Sequence, residues 1–438
     1  MAGNVTVPQD NAASLHSSAG GGFFRSCGWM IFATVMGGIL MWAVHKVATS
    51  YLDGVEYGMF ASFLRALNLV TIPACGLQAF FAQKTSTVQH EQSLSDLREL
   101  CIGVVRWILG ICAFGAIIVF CFQSKISVFF KVPASFLWVA LPVVLVMFLR
   151  PVGVGILQGR QNFLWVGCAQ IADGAVRLGC IFLILTCLCV TATGALWGVF
   201  AGVSVTICLC LFQTRDLWRK KTRVNNPFHL RWLLDLVPLT LGAGIPLFMI
   251  GADALVVQAT FPSEQVKLYA AAGIMTQALI FFTLPIATVM FPKIARSAAI
   301  KEETSVRMLA LGTTAFLVGV VVIGTFIMPT LPIRIMFNVD YLPAAKVLPW
   351  FALSMFPLSL ATVLINDLLA RAYYKCVPFL WLVLCGYVVA LCVWHNSFKQ
   401  IIFQIGVFNM ILFVVCVVFA FPVGKQKQES RQSGVFVE

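Results

Sequence analysis

The stretch ATGALWGVFAGVSVTICLCLFQ, residues 192–213, contains no charged side chain. A helix needs about 20 apolar residues to cross the hydrocarbon core of a bilayer. A strand of a membrane β-barrel would be about half as long and would alternate in polarity, which this stretch does not. The stretch therefore predicts a transmembrane α-helix.

The composition of the whole chain agrees with that interpretation. Of its 438 residues, 60% are hydrophobic and only 11% are charged, and the mean hydropathy is +0.93. A soluble domain carries roughly 25% charged residues, and a water-soluble fold could not bury so much apolar surface. The composition excludes an ordinary soluble enzyme, a nucleic-acid-binding module and a disordered protein. It predicts an all-α polytopic membrane protein.

Apolar segments of similar length follow one another along the chain. We predict about twelve transmembrane helices from them. The predicted spans are 27–45, 57–80, 101–122, 135–157, 163–186, 192–213, 233–256, 267–291, 308–328, 344–369, 377–395 and 399–421.

The basic residues predict the orientation of these helices. With twelve spans both termini lie on one side, and 20 of the 30 Lys and Arg residues fall on that side, against 7 on the other and 3 within spans. The 20 include Arg150 and Arg160, assigned to the loop after the fourth span. Because cytosolic loops are enriched in Lys and Arg, we expect both termini in the cytosol and the protein in the inner (plasma) membrane.

An internal repeat suggests two halves. Residues 57–80 align without gaps with residues 269–292, and the identical pairs include Tyr57 with Tyr269 and Pro73 with Pro285. A second, weaker similarity, one position off that register, relates LQGRQNF (157–163) to LLARAYY (368–374). Because six is an even number, both halves would begin on the same side of the membrane and be related by an axis along the membrane normal. This architecture is typical of transporters with a central cavity.

This division predicts five regions. They are a cytosolic N-terminal tail at 1–26, a six-helix bundle at 27–213, a basic cytosolic linker at 214–232, a second six-helix bundle at 233–421 and a cytosolic C-terminal tail at 422–438.

The sequence lacks the motifs of an enzyme, a metal site or a cofactor site. There is no Walker A sequence, no H-E-x-x-H and no G-x-S-x-G, and the fifteen cysteines include no C-x-x-C pair. We therefore expect no catalytic residues, no cofactor and no metal, and a pump driven by its own ATPase is excluded for this chain alone.

Ionisable residues inside the predicted spans are the candidate functional groups, because they are costly in lipid. Arg65 has no acidic partner at helical spacing within its span, which makes it the first candidate for a substrate contact. Arg106 is a second candidate, although its side chain could instead extend to the cytosolic headgroups.

Acidic residues provide the other candidates. Asp173 and Arg177 are four residues apart, which indicates either an internal salt bridge or a transport site with Arg177 as a substrate contact. Asp253 has no basic residue within four positions. Asp173 and Asp253 are therefore candidates for ion coupling.

Asp367 and Arg371 form a further pair at helical spacing. They close the tenth predicted span, at its cytosolic end, and we interpret them as structural.

Three stretches resemble the polysaccharide exporters of the multidrug/oligosaccharidyl-lipid/polysaccharide (MOP) superfamily. They are YLDGVEYGMFASFLRALNLVTIPACGLQAFFAQ (51–83), ILQGRQNFLWVGCAQIADGAVRLG (156–179) and GADALVVQATFPSEQVKLYAAAGIMTQALIFFTLPIATVMFPKIA (251–295). The resemblance implies a MATE-like flippase fold and an O-antigen type of flippase. Such a protein moves an undecaprenyl-pyrophosphate-linked oligosaccharide from the inner to the outer leaflet in polysaccharide or lipopolysaccharide biosynthesis.

The resemblance also indicates the alternative functions and the expected partners. Lipid II flippases usually carry two further helices, which the sequence does not show, and drug-extruding relatives share the fold. An ion-coupled drug antiporter of the MATE type is thus the alternative, followed by a membrane-embedded glycan polymerase or transferase. The expected partners are the lipid-linked oligosaccharide, membrane lipids and glycan-assembly proteins, and not nucleic acid.

Overall fold

The protein is an assembly of helices. The structure, a computed structural model, describes residues 10–88, 91–130, 132–219, 231–299, 306–336 and 339–421, and within these ranges it contains no strand. The α-helices are α1 (Asp10–Tyr51), α2 (Gly54–Ser86), α3 (Glu91–Phe130), α4 (Ala134–Gly159), α5 (Phe163–Cys187), α6 (Ala192–Gln213), α7 (Arg215–Arg219), α8 (Arg231–Thr260), α9 (Ser263–Ala299), α10 (Val306–Ile327), α11 (Thr330–Met336), α12 (Leu348–Ala370), α13 (Val377–Val393) and α14 (Phe398–Ala420). Two 3-10 helices cover Val339–Lys346 and Tyr374–Cys376.

The long helices reproduce the predicted spans. In the described part of the chain, ten helices are long and apolar enough to cross a membrane. The remaining two predicted spans, 57–80 and 267–291, lie within α2 and α9. The surface of the bundle carries large apolar side chains, such as Trp42 and Phe114, both 65% exposed. The prediction of an all-α polytopic membrane protein is confirmed.

Short polar residues begin several of these helices. Asp53 precedes α2, and its carboxylate accepts a hydrogen bond of 2.7 Å from the backbone N–H of Glu56. Thr191 and Ser397 cap α6 and α14 in the same way. These caps satisfy N–H groups that would otherwise lack partners at a helix start.

The helices pack in two sets with the same pattern of neighbours. In the N half, α1 packs on α5, α5 on α6, and α4 contacts α2, α3 and α6. In the C half, α8 packs on α13, α13 on α14, and α12 contacts α9, α10 and α14. Each pair in the first half therefore has a counterpart in the second.

A turn repeated in both halves supports this correspondence. Gln161 after α4 and Ala372 after α12 are the described non-glycine residues with positive φ, at 57° and 56°. Their backbone N–H groups bond to the carbonyls of Gln158 and Leu369, three residues earlier in each case. The left-handed conformation is uncommon for non-glycine residues, so its recurrence within the weaker sequence repeat indicates a shared turn.

The two halves meet near the end where α1 begins and α14 ends, which we call the termini side. There the amide nitrogen of Gln83 donates to the carbonyls of Leu369 and Ala370 at 3.1 and 3.2 Å. Lys84 pairs with Asp235 at 2.8 Å. The opposite, distal end of the N half has an apolar cluster of its own, with residues from α1, α2, α4, α5 and α6. The halves are thus joined mainly on the termini side.

Helix α2 and helix α8 approach each other closely at Gly76. A Cβ added to Gly76 would lie 2.5 Å from the Cα of Thr240, closer than any real side chain allows. The absence of a side chain therefore brings the two backbones into contact between the halves.

The structure adds detail to the predicted tails and linker. Helix α1 begins at Asp10, inside the region expected as an N-terminal tail. Part of the expected linker forms the short helix α7, and Arg160 at the end of α4 binds Asp216 of α7 through two hydrogen bonds of 2.8 Å. The expected C-terminal tail, 422–438, lies outside the described residues.

Candidate functional site

A polar cavity of about 480 Å³ lies inside the N half, between α1, α2, α4 and α5. Apolar side chains such as Met41, Leu64 and Met147 form part of its wall. Its polar lining residues are His45, Tyr57, Arg150, Gln170, Asp173 and Arg177. We call this space the N-half cavity.

Three charged residues on the wall of the N-half cavity form an ion-pair cluster, the N-half triad of Arg150, Asp173 and Arg177. Arg177 donates to one carboxylate oxygen of Asp173 at 2.8 Å. The guanidinium of Arg150, on the neighbouring helix α4, lies 3.7 Å from the other oxygen. Two guanidiniums facing one carboxylate leave the cluster with one net positive charge.

The two arginines of the triad differ in what they offer a ligand. The side chain of Arg177 is only 6% exposed, and its Nε has no hydrogen-bond partner among the described residues. That of Arg150 is 31% exposed. Arg150 is therefore the more accessible of the two guanidiniums, and Arg177 the more deeply buried.

A second cavity, of about 690 Å³, lies between the two halves. Residues of α1 and α9 such as Thr34, Pro285 and Thr288 line it, and it shares Arg150 and Gln170 with the N-half cavity. We call it the inter-half cavity. Arg150 thus borders both spaces, so a ligand could keep one guanidinium contact while it moved from one to the other.

Sequence reasoning missed Arg150. The topology argument placed it in a loop beside Arg160, whereas the structure places it inside α4, facing the cavities. The signal was present, because position 150 falls within the predicted span 135–157. The assignment of Arg150 to a cytosolic loop was wrong.

Two of the three arginines predicted to contact substrate have described side chains, and these two do not lie together. Arg177 lines the N-half cavity. Arg106 is exposed on α3 and lines neither cavity. Arg65 belongs to α2, but its side chain lies outside the described residues. Its role therefore stays a prediction.

Asp253 lies in a separate buried cluster in the C half. It is 2% exposed, and the hydroxyl of Tyr269 donates to its Oδ2 at 2.5 Å. Its Oδ1 has no hydrogen-bond partner in the part of the chain that the structure describes, and no Lys or Arg described there forms a salt bridge with it. Among the described residues, the bonded partner of this carboxyl group is thus a phenol rather than a cation.

Asp367 and Arg371 belong to a second ion-pair cluster, the C-half triad, which Arg307 completes. Arg371 and Arg307 lie 3.1 Å from the two carboxylate oxygens of Asp367, which is fully buried. Arg307 also donates to the carbonyl of Ala420 at 2.9 Å. This cluster joins α10, α12 and α14 on the termini side.

Groups of three or more His, Cys, Asp or Glu side chains that could hold a metal ion were sought among the described residues, and none was found. Guanidinium, amide and hydroxyl groups, all able to donate hydrogen bonds, make up most of the polar lining of both cavities, and Asp173 adds a carboxylate. Such a lining suits an anionic or polar ligand.

The fold defines an all-α polytopic membrane protein with two pseudo-symmetric halves. Solved structures support the fold. A MATE protein in its straight conformation superimposes with a TM-score of 0.71 at 14% identity, covering 93% of this chain and 96% of that one. An outward-facing multidrug resistance MATE family transporter of the MOP superfamily gives 0.69 at 14% identity with the same coverages. A Vibrio cholerae MATE transporter gives 0.71 at 14%, covering 95% and 98%.

The family is assigned by sequence. The family model described as Lipid II flippase MurJ matches residues 67–435, so the chain belongs to this flippase family. A search of curated proteins gives no match. The chain is therefore a transporter and not an enzyme, and the expected MOP superfamily is confirmed. The family model that matches is that of the lipid II flippases, whereas the sequence resemblance pointed to the polysaccharide exporters of the same superfamily.

Proposed function

We propose that this protein moves a polyprenyl-pyrophosphate-linked saccharide from one leaflet of the membrane to the other by alternating access. The observation that carries the proposal is the N-half triad, in which the guanidinium-bearing side chains of Arg150 and Arg177 line a cavity inside the bundle. Arg150 supports it as well, since its guanidinium borders both cavities.

The physical requirement is to carry a charged headgroup through a low-dielectric region. An unpaired ionised group buried in such a region costs far more than packing contacts return. Guanidinium groups bind phosphate oxygens through a planar pair of donors. A pyrophosphate that binds Arg150 or Arg177 therefore replaces its hydration with charge-assisted hydrogen bonds. The polyprenyl chain stays in lipid and passes between helices.

If both termini are cytosolic, the membrane potential favours transport of the anionic headgroup from the inner to the outer leaflet. Moving one negative charge outward from a negative cytosol is favourable by about 2.3 kcal/mol per 100 mV. The proposed orientation, with both termini in the cytosol of an inner (plasma) membrane, follows from the distribution of basic residues. The emptied protein must then return to its starting state.

We propose that Asp253 takes part in that return by binding a proton or a cation. It is buried, its Oδ1 is unpaired among the described residues, and its bonded neighbour is the neutral hydroxyl of Tyr269. Asp173 was an equal candidate on sequence grounds. Two guanidiniums already compensate its charge, which favours a role in positioning Arg177.

The proposed substrates are lipids that carry a pyrophosphate. Two such lipids are candidates, and a different observation favours each. The family match favours lipid II. The sequence resemblance favours an undecaprenyl-pyrophosphate-linked oligosaccharide of the O-antigen type. In either case enzymes that assemble or polymerise glycans are the expected partners, as they supply or consume the substrate.

A reconstituted flipping assay tests the proposal. The full-length chain is placed in proteoliposomes with fluorescent lipid II or with an undecaprenyl-pyrophosphate oligosaccharide, and movement between leaflets is followed by accessibility to an impermeant quencher. We expect flipping of at least one of them. Arg150→Ala should lower the rate at least about tenfold, the effect of losing one charge-assisted contact.

Matched variants and substrates make the assay decisive. Arg296→Ala removes an exposed guanidinium on α9 and should leave the rate unchanged. Failure to flip either lipid, together with gradient-driven uptake of a cationic drug, would contradict the proposal and support a MATE-type antiporter. An equal loss in both arginine variants would show that overall charge, not the cavity, matters.

A further inference from the structure

The lipid-facing surface of α3 contains a groove that neither cavity uses. In the most apolar part of α3 only 11% of the residues are buried, compared with 78% in α12, so α3 lies at the periphery of the bundle. Its main described neighbours are α4 and the short helix α7. The groove, of about 480 Å³, is lined by Gly103, Arg106, Trp107, Gly110, Ile111 and Phe114.

The spacing of the glycines forms this groove. Gly103 and Gly110 lie three residues before and four residues after Arg106, so all three share one face of the helix. A Cβ added to Gly110 would meet no atom within 4 Å. The space above Gly110, beside the arginine, is therefore unoccupied. Ile111 and Phe114, both more than half exposed, line the edge of the groove.

Arg106 brings an uncompensated charge to this apolar surface. Its side chain is exposed, and no carboxylate of the described residues forms a salt bridge with it. A cation on a lipid-facing helix is stable only where it reaches water or an anion. Lipid phosphates are the anions available at the surface of a bilayer.

The neighbouring tryptophans place the groove near the membrane surface. Trp107, adjacent to Arg106, packs edge-on against Trp232 with ring centroids 6.0 Å apart. Trp232 is the second residue of α8, at the termini side. Because Trp is enriched at membrane–water interfaces, this pair indicates that Arg106 lies within reach of the headgroups of the adjacent leaflet.

We propose that this groove is a binding site for an anionic phospholipid, whose phosphate pairs with Arg106 and whose acyl chain lies over Gly110. A phospholipid fits better than free phosphate, because most of the lining is apolar. It also fits better than the transported lipid, because the groove shares no lining residue with the N-half or the inter-half cavity. The site does not depend on the proposed transport function.

Native mass spectrometry of the full-length protein in detergent, titrated with phosphatidylglycerol, tests the site. Arg106→Ala should weaken the tightest binding event about tenfold, the effect expected for one charge-assisted contact. Gly110→Leu should weaken it similarly by filling the groove. Gly115→Leu is the matched control, since Gly115 also has open space around it, does not line the groove and lies on the opposite face of α3 from Arg106.

The results separate the proposal from its alternatives. It is supported if both groove variants weaken binding while Gly115→Leu stays within about twofold of the unmodified protein. Binding that is unchanged in Arg106→Ala would overturn it, as would an equal loss in Gly115→Leu. Displacement of phosphatidylglycerol by lower concentrations of an undecaprenyl pyrophosphate would overturn the assignment to a phospholipid.

Discussion

The N-half triad and the C-half triad contain the same chemical groups in different surroundings. Each has an aspartate, an arginine four residues later in the chain and a second arginine from a neighbouring helix. In the N half the cluster lines a cavity. In the C half the aspartate is fully buried, and Arg307 also bonds to the backbone of Ala420.

The difference shows that an Asp-x-x-x-Arg pair in a membrane helix does not by itself indicate function. The free space beside the pair matters, because only a donor that borders a cavity can exchange its partner for a ligand. In a packed cluster the same donors hold helices together, and removal of one leaves a buried charge uncompensated. The comparison therefore predicts loss of transport in one half and loss of stability in the other.

The largest effect is expected at Arg177. Arg177→Ala removes the buried donor of the N-half cavity, and we expect the flipping rate in proteoliposomes to fall about 100-fold, since truncating a desolvated charged contact costs several kcal/mol. Arg371→Ala, at the same spacing in the C-half triad, should lower thermal stability in detergent but keep the flipping rate per folded molecule. Equal transport losses in the two variants would contradict the claim that only the N-half triad serves transport.

A smaller effect is expected from displacing the N-half triad without changing its charges. A Cβ added to Gly202 on α6 would lie 2.6 Å from the Oδ1 of Asp173 and 2.9 Å from the Cβ of Arg177. Gly202→Ala should therefore lower the flipping rate about tenfold and cost about 1–3 kcal/mol of stability by overpacking. Gly179→Ala on α5 meets no atom within 4 Å and should change neither quantity. A Gly202→Ala protein with normal transport would show that the geometry of the triad is not critical.

Asp253 extends the comparison, because it is a buried acid that forms no salt bridge with any arginine that the structure describes. Asp253→Asn keeps the shape but removes the capacity to bind a proton or a cation, so we expect the flipping rate to lose its dependence on an imposed ion gradient. The basal rate without a gradient should change by less than about threefold, within about 1 kcal/mol. A rate still fully dependent on the gradient would contradict a coupling role.

The smallest effect is expected for an ion pair at the surface, outside both triads. Two hydrogen bonds from Arg160 hold the pKa of Asp216 below its usual value. The pair therefore contributes stability above the usual aspartate pKa and loses it as the pH falls through the lowered one. Because Asp216 is 59% exposed, the contribution should not exceed about 1 kcal/mol.

Melting temperatures in detergent check this pH dependence. The unmodified protein should melt slightly higher than the Asp216→Asn variant at about pH 6, and the difference should shrink as the pH falls below about 4. A difference that grows toward low pH would contradict the assigned sign.

The sequence predicted the fold well because lipid imposes simple rules on helices. Length and polarity were sufficient to place the long helices of the described residues, and the repeated turn at Gln161 and Ala372 lies where the weaker sequence similarity suggested. The extension of α1 to Asp10 was not predicted, since that region is polar and rich in Gly and Ser.

The candidate site was predicted only in part. The Asp173–Arg177 pair could be found because its spacing lies within one helix. The contributions of Arg150 and Arg307 depend on contacts between helices that are distant in sequence, and no local pattern reveals such contacts. Likewise, nothing in the sequence shows that Asp173 borders a cavity while Asp367 is fully packed.

The contact at Gly76 has a geometric consequence for how the two halves can rotate. Helix α2 extends from Gly76 to its distal end at Gly54, about 33 Å at 1.5 Å per residue. If α2 pivoted by about 10° at this crossing, its far end would sweep about 6 Å, while atoms beside Thr240 would hardly shift. With the Gly76 contact as the pivot, a small tilt of α2 would thus open a wide gap at the distal end while the termini side stayed packed.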